Sequence, residues 1–189
     1  AREILRRCDA YDIVACLDVD QAVAAEAARE EGADAYHDLD AFLSHPGMEA
    51  VSINTPALLH AEHIERAFAA GKHVLVTKPV TNNVEAAERL RDTARRAGLA
   101  WMVGHHAAHT PAVDRLRQEL TNGRIGRLCN VIVTSCSSGG LAQEYGAWRT
   151  MSGQNPGGPL LQCGVHSIHM LISLLGPVTD IRCIGQRHI

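Results

Sequence analysis

At 189 residues the chain has room for one large domain or a domain and a half. No apolar run approaches the roughly 18 residues needed to cross a bilayer, so a spanning helix is excluded. A net charge of -3 with 4% aromatic residues argues against nucleic acid, which calls for clustered Lys and Arg or for stacking aromatics. No basic segment leads into an apolar stretch, so nothing reads as a signal peptide. The six cysteines, Cys8, Cys16, Cys129, Cys136, Cys163 and Cys183, form no C-x-x-C pair. Most lie in apolar segments and are expected as small buried hydrophobes, reduced, in a cytoplasmic protein.

Apolar runs alternate with helical periods. Asp12–Leu17 predicts a buried strand, Gln21–Glu31 a helix stopped at Gly32, and Asp38–Leu43 a short helix. Glu49–Ile53 predicts a strand and Leu58–Ala70 a helix closed by Gly71. His73–Val76 is a strand, Val84–Ala97 a helix closed by Gly98, and Leu99–Val103 a strand. Short strands alternating with helices of this length predict an α/β fold, a parallel sheet with helices on both faces. After Gly104 the rhythm changes. Pro111–Leu120 predicts a helix, Leu128–Thr134 a β-branched strand, Ser135–Gly158 a long loop, Pro159–Leu175 an apolar helix and Val178–Ile184 a strand. Two strands make a poor independent sheet, so this second part reads as incomplete.

Asp18 falls at the carboxyl end of the first strand. In a dinucleotide-binding unit an acid there bonds the adenosine ribose, and the Gly-rich phosphate loop lies about 20 residues earlier. Counting back from Asp18 passes Ala1. The first strand and its G-x-G-x-x-G loop are therefore expected upstream, with Ala1–Cys8 the remainder of the helix that follows them.

Several segments carry a more specific pattern. They are Thr55-Pro56 with His60, Ala70-Gly71-Lys72-His73-Val74-Leu75-Val76, Lys78-Pro79 and Val103-Gly104-His105. Gly123-Arg124-Ile125-Gly126 follows, then Gly157-Gly158 leading to Gly164-Val165-His166. In order and spacing, over nearly the whole chain, they resemble the glucose-fructose oxidoreductase, inositol dehydrogenase and rhizopine-catabolism (Gfo/Idh/MocA) family. The resemblance implies a Rossmann domain over 1–106, lacking its first strand. The start of an α/β substrate and oligomerisation domain would occupy 107–189. It also implies NAD, with NADP as the alternative, a sugar, inositol or related polyol or keto substrate, and a homo-oligomer.

The resemblance assigns Lys78 as the active-site lysine and His166 as the catalytic histidine. Asn54, Thr55, Pro56 and His60 would line the nicotinamide side of the cofactor cleft, and Trp148-Arg149 would lie near the cofactor. Three positions depart from the pattern: Thr77 replaces Glu, Gln162 replaces Asp and His169 replaces Asp. Taking a hydride from a carbinol carbon requires the hydroxyl proton to leave. Histidine suits the base, and an ammonium stabilises the developing alkoxide. His166 is therefore read as base, Lys78 as the polarising group, and Gln162, four residues before His166 on one helix face, as an orienting amide. Asp18 favours NAD, since a carboxylate repels a 2′-phosphate and Val19 offers no cation.

Two other readings stay open on the residues. His105, His106 and His109 with His166 and His169 are a candidate metal cluster, although H-H-x-x-H in a loop is not diagnostic and no H-E-x-x-H is present; no metal ligand is assigned. The neutral residues at 77 and 162 also fit a non-catalytic, cofactor-binding relative.

Overall fold

The computed structural model describes residues 11–134 and 157–184. The chain divides into two compact units, Ala1–Val76 with Asn83–Met102, and Thr77–Asn82 with Val103–Ile189.

The first unit is built of short parallel strands and helices. Strand β1 (Ala15–Leu17) leads to α1 (Gln21–Glu31), β2 (Asp34–Tyr36) and α2 (Leu39–Leu43). Then come β3 (Ala50–Ile53), α3 (Ala57–Ala69), β4 (His73–Val76), α4 (Val84–Ala97) and β5 (Trp101–Val103). β1 and β2 pair in parallel, Ala15 opposite Asp34 and Leu17 opposite Tyr36. β3 and β4 pair in parallel, Ala50 opposite His73 and Ile53 opposite Val76, and the second sheet runs in the order β3-β4-β5. A pair and a triple in these orders correspond to the two halves that flank the central strand of a doubly wound nucleotide fold.

Local chemistry sets the helix ends. Asp20 caps α1 by accepting from the Ala22 amide at 2.8 Å, Asp38 caps α2 from Ala41 at 2.8 Å, and Asn83 caps α4 from Ala86 at 2.7 Å. Each such cap contributes about 1 kcal/mol. α1 and α4 end on Gly32 (φ 67) and Gly98 (φ 66), left-handed positions that only glycine adopts cheaply.

Burial in β3 and β4 alternates. Val51, Ile53, Val74 and Val76 are buried, while Ala50, Ser52, His73 and Leu75 are exposed. The sequence predicts helices on both faces; among the described residues these two strands bury one face, against α3. Ile64 of α3 and Leu90 of α4 are both fully buried, as are His60 and Val76.

In the second unit a 3-10 turn (His106–His109) precedes α5 (Pro111–Thr121), which Thr110 caps and Pro111 starts. A π turn (Leu160–Gly164) then runs without a break into α6 (Val165–Leu175). The expected strands at 128–134 and 178–184 are not formed. Their β-branched residues carry propensity, but a strand exists only where a neighbour completes its ladder, and Ile132, Ile181 and Ile184 are largely exposed. The expectation of buried cysteines fails for the same reason. Cys129 and Cys183 lie on these unpaired segments, and they and Cys163 are exposed free thiols; Cys16 is part-exposed. The Ala1–Cys8 helix, Cys136 and nearly all of the Ser135–Gly158 loop lie outside the described residues. No helix among the described residues is long and apolar enough to cross a membrane.

Leu90 makes the α3–α4 core testable. Leu90→Ala leaves a cavity at a fully buried position and should lower unfolding free energy by about 2–5 kcal/mol in urea denaturation. A loss under about 1 kcal/mol would contradict the packing described.

Candidate active site

The candidate cofactor residues of the first unit sit just beyond strand ends. Asp18 follows β1 directly. Its amide donates to the Tyr36 carbonyl at 3.3 Å, and its carboxylate accepts from the Asp20 amide at 3.0 Å. The acid is thus held in a turn whose other acid caps α1. Beyond β3, the Asn54 amide donates to the Ser52 hydroxyl at 3.1 Å. His60 is 1% exposed, and its Nε2 lies 2.8 Å from the Thr55 carbonyl. A carbonyl only accepts, so this nitrogen carries the proton. His60 therefore fixes the Thr55-Pro56 turn, and any part it has in cofactor binding passes through that turn. His63, which sequence reasoning passed over, lies with its Nδ1 3.2 Å from the Thr55 hydroxyl. Its only sequence signal is the i, i+3 spacing from His60. Burial lowers its pKa, Arg66 and His60 add to this, and Glu62 opposes it.

Pro56 opens α3 with no side-chain cap; the Leu59 amide donates to the Pro56 carbonyl at 2.9 Å, and the Ala57 and Leu58 amides lie ahead of the first helical bond. An uncapped helix start beyond one parallel strand and an ordered acid beyond another are donor and acceptor types that suit a dinucleotide.

The second unit gathers the candidate catalytic residues. Lys78, half-buried in the turn after β4, donates from Nζ to the main-chain carbonyl of Gln162. Gln162 lies inside the π turn, where the regular α-helical ladder is interrupted. Glycine makes that turn feasible: a Cβ at Gly157 would meet the Leu161 Cβ at 2.3 Å, and Gly158 has φ +50. The sequence predicts Gln162 and His166 on one α-helical face. The π turn shifts that register, and it is the Gln162 carbonyl that meets Lys78.

Three imidazoles, His105, His106 and His109, crowd around His166 and His169. The His105 and His169 rings stack at 4.3 Å and 12°, and His105 stands edge-on to His166 at 5.6 Å. His106 lies 4.7 Å from His166, and His109 lies 6.3 Å from His169. The Nδ1 atoms of His105, His166 and His169 are buried without a hydrogen-bond partner among the described residues. Burial, then His169, His166, Lys78 and His106, pushes the His105 pKa down to about 4. Burial lowers the His166 pKa too, followed by Lys78, His106 and His169. These surroundings favour the neutral forms of His105 and His166, and a neutral imidazole beside an ammonium can accept a proton. Among the described residues, no three His, Cys, Asp or Glu are arranged to hold a metal ion. Trp148 and Arg149 lie outside the described residues.

These features define a protein of the α/β nucleotide-fold class, and comparison with known proteins gives the family. Residues 1–105 match the oxidoreductase family with an NAD-binding Rossmann fold, and residues 113–189 match the GFO/IDH/MocA C-terminal domain. The chain belongs to the Gfo/Idh/MocA oxidoreductase family. It is 32% identical over 177 residues to the dTDP-3,4-didehydro-2,6-dideoxy-alpha-D-glucose 3-reductase of Streptomyces antibioticus, covering 92% of this chain and 51% of that one. A solved protein of Desulfitobacterium hafniense DCB-2 superposes with a TM-score of 0.83 at 27% identity, covering 93% of this chain and 51% of that one. KijD10, a 3-ketoreductase from Actinomadura kijaniata solved with NADP and TDP-benzene, gives a TM-score of 0.75 at 29% identity, covering 92% and 52%. The chain spans about half the length of these relatives.

The His105 environment has a pH consequence. Its folded pKa of about 4 lies below the ordinary imidazole value of 6.5. Between those values the unfolded chain binds the extra proton, so this group's contribution to stability falls as pH drops from 6.5 towards 4. Proton NMR titration of the ring should place the midpoint near 4. A midpoint at or above 6.5 would contradict the cluster geometry.

Proposed function

We propose that this chain forms part of a nicotinamide-dependent dehydrogenase or reductase that moves a hydride between the cofactor and a CH–OH carbon of a sugar, inositol or related polyol, or its keto form. The observation that carries the reading is the pairing of a fixed ammonium, Lys78, with an imidazole kept neutral beside it, His166. Residues 1–106 serve the cofactor, and 107–189 begin the substrate and assembly portion.

When bound, nicotinamide supplies the hydride acceptor or donor. The chain's residues manage the proton. In the oxidising direction His166 takes the hydroxyl proton, and Lys78 stabilises the negative charge left on oxygen. In reduction, the protonated His166 returns that proton. The Gln162 carbonyl holds the Lys78 ammonium, so Gln162 positions through its main chain, and its side-chain amide orients a hydroxyl. Asn54 and the Thr55-Pro56 turn, set by His60, serve the nicotinamide end; Asp18 serves the ribose. Trp148 and Arg149 are kept as cofactor candidates on sequence pattern alone.

We propose NAD as the preferred cofactor because of the acid at 18. One structural relative is an NAD binding oxidoreductase from Klebsiella pneumoniae, and KijD10 was solved with NADP, so the choice turns on the local residue. Assembly as a homo-oligomer and a cytoplasmic location belong to the same proposal. A second reading, a cofactor-binding relative without turnover, draws on the neutral Thr77 and Gln162.

In the full-length protein, Lys78→Met and His166→Asn should each lower kcat by about a hundredfold or more with cofactor affinity nearly unchanged, measured by steady-state kinetics and cofactor titration. Full turnover in either variant would remove that residue from the chemistry. Cofactor binding with no turnover of any polyol by the unmodified protein would favour the second reading. Asp18→Ser should narrow the NAD over NADP preference by about tenfold. An unchanged ratio would argue against the ribose assignment.

A further inference from the structure

The charges of the second unit are lopsided around the candidate site. Its described residues include three carboxylates, and an arginine engages each. Asp114 pairs with Arg117 at 2.5 Å, Glu119 with Arg115 at 2.6 Å and with Arg124 at 3.1 Å, and Asp180 with Arg182 at 3.7 Å. None of them figures among the charges that act on His105 or His166, which are Lys78 and neighbouring imidazoles throughout. The Lys78 ammonium donates to a neutral carbonyl. Beside it, buried imidazole nitrogens of His105, His166 and His169 have no hydrogen-bond partner among the described residues, and His106 and His109 stand exposed at the rim.

Resting on the oxidoreductase reading above, we propose that the substrate of this site is an anionic polyol: a sugar or cyclitol bearing a carboxylate or a phosphate close to the reacting hydroxyl. The negative charge that the described part of the site does not supply comes with the ligand. The anion accepts from Lys78 and from the exposed imidazoles, and the hydroxyl is left to His166. Hydrogen bonds between charged partners are roughly twice as strong as neutral ones. A neutral polyol in the same position would leave the Lys78 ammonium facing only neutral acceptors among the described residues. Selectivity is then set by charge complementarity before any contact with individual hydroxyls.

The test compares matched substrates in the full-length protein with NAD and NADP: glucitol against gluconate, and glucose against glucuronate and a glucose phosphate ester. The charged members should show kcat/KM at least about tenfold above their neutral partners, and the advantage should shrink as salt rises to about 0.5 M. A carboxylate advantage without a phosphate advantage, or the reverse, supports the proposal and identifies the anion. Neutral members turned over as well as or better than the charged ones would overturn it and leave the oxidoreductase reading intact. Cofactor binding with no turnover of any member would overturn both. As an internal control, Gln162→Asp adds a carboxylate on the residue whose main chain holds Lys78 and should cut the preference for charged substrates by about tenfold. An unchanged preference in a variant with an unaltered melting temperature would overturn the charge argument.

Discussion

The Lys78 ammonium and the carbonyl it donates to organise the candidate site. A lysine directly after a parallel strand would ordinarily extend into water. Here Nζ is held by the Gln162 carbonyl, 84 residues on, within a turn whose backbone pattern is not α-helical. That contact fixes the ammonium near His166 and His105, and both imidazoles respond by favouring the neutral form. Burial contributes most to those shifts, and the ammonium adds to it.

Much of the fold was legible because its signals are local. Asp20 and Gly32 bound α1, Asn83 and Gly98 bound α4, and the expected ranges coincide with the helices formed. A cap or a left-handed glycine acts on its own few residues and needs no tertiary partner. Strand β2 escaped notice because it is three residues long and Asp34 and Ala35 carry little strand preference; pairing with β1 makes it a strand. The opposite error occurred at 128–134 and 178–184, where strong propensity met no neighbour.

The site was legible in its members more than in its connections. Lys78, Gln162 and His166 do gather in one unit. The nature of the Lys78 contact, main chain rather than side chain, could not be read from residue types. Nor could the π turn, whose only trace is the pair Gly157-Gly158. The histidines at 105, 106 and 109 left a metal cluster open as an alternative on spacing alone. Their rings form a stack with His169 and a tilted contact with His166, arrangements that depend on backbone directions invisible in spacing. His63 and its link to Thr55 show the same limit: an i, i+3 histidine pair looks like surface decoration until the helix start is placed.

The π turn also has an evolutionary meaning. Five residues, Leu160–Gly164, occupy it, and an α-helix of the same rise would use fewer. One residue of an α-helix rotates the chain by about 100°. Loss of a single residue here would let the segment relax to a regular helix and swing every later side chain around the axis, carrying His166 and His169 away from His105 together. The segment can thus accept many substitutions but few changes of length, and descendants of this chain should vary in letters there while keeping their count.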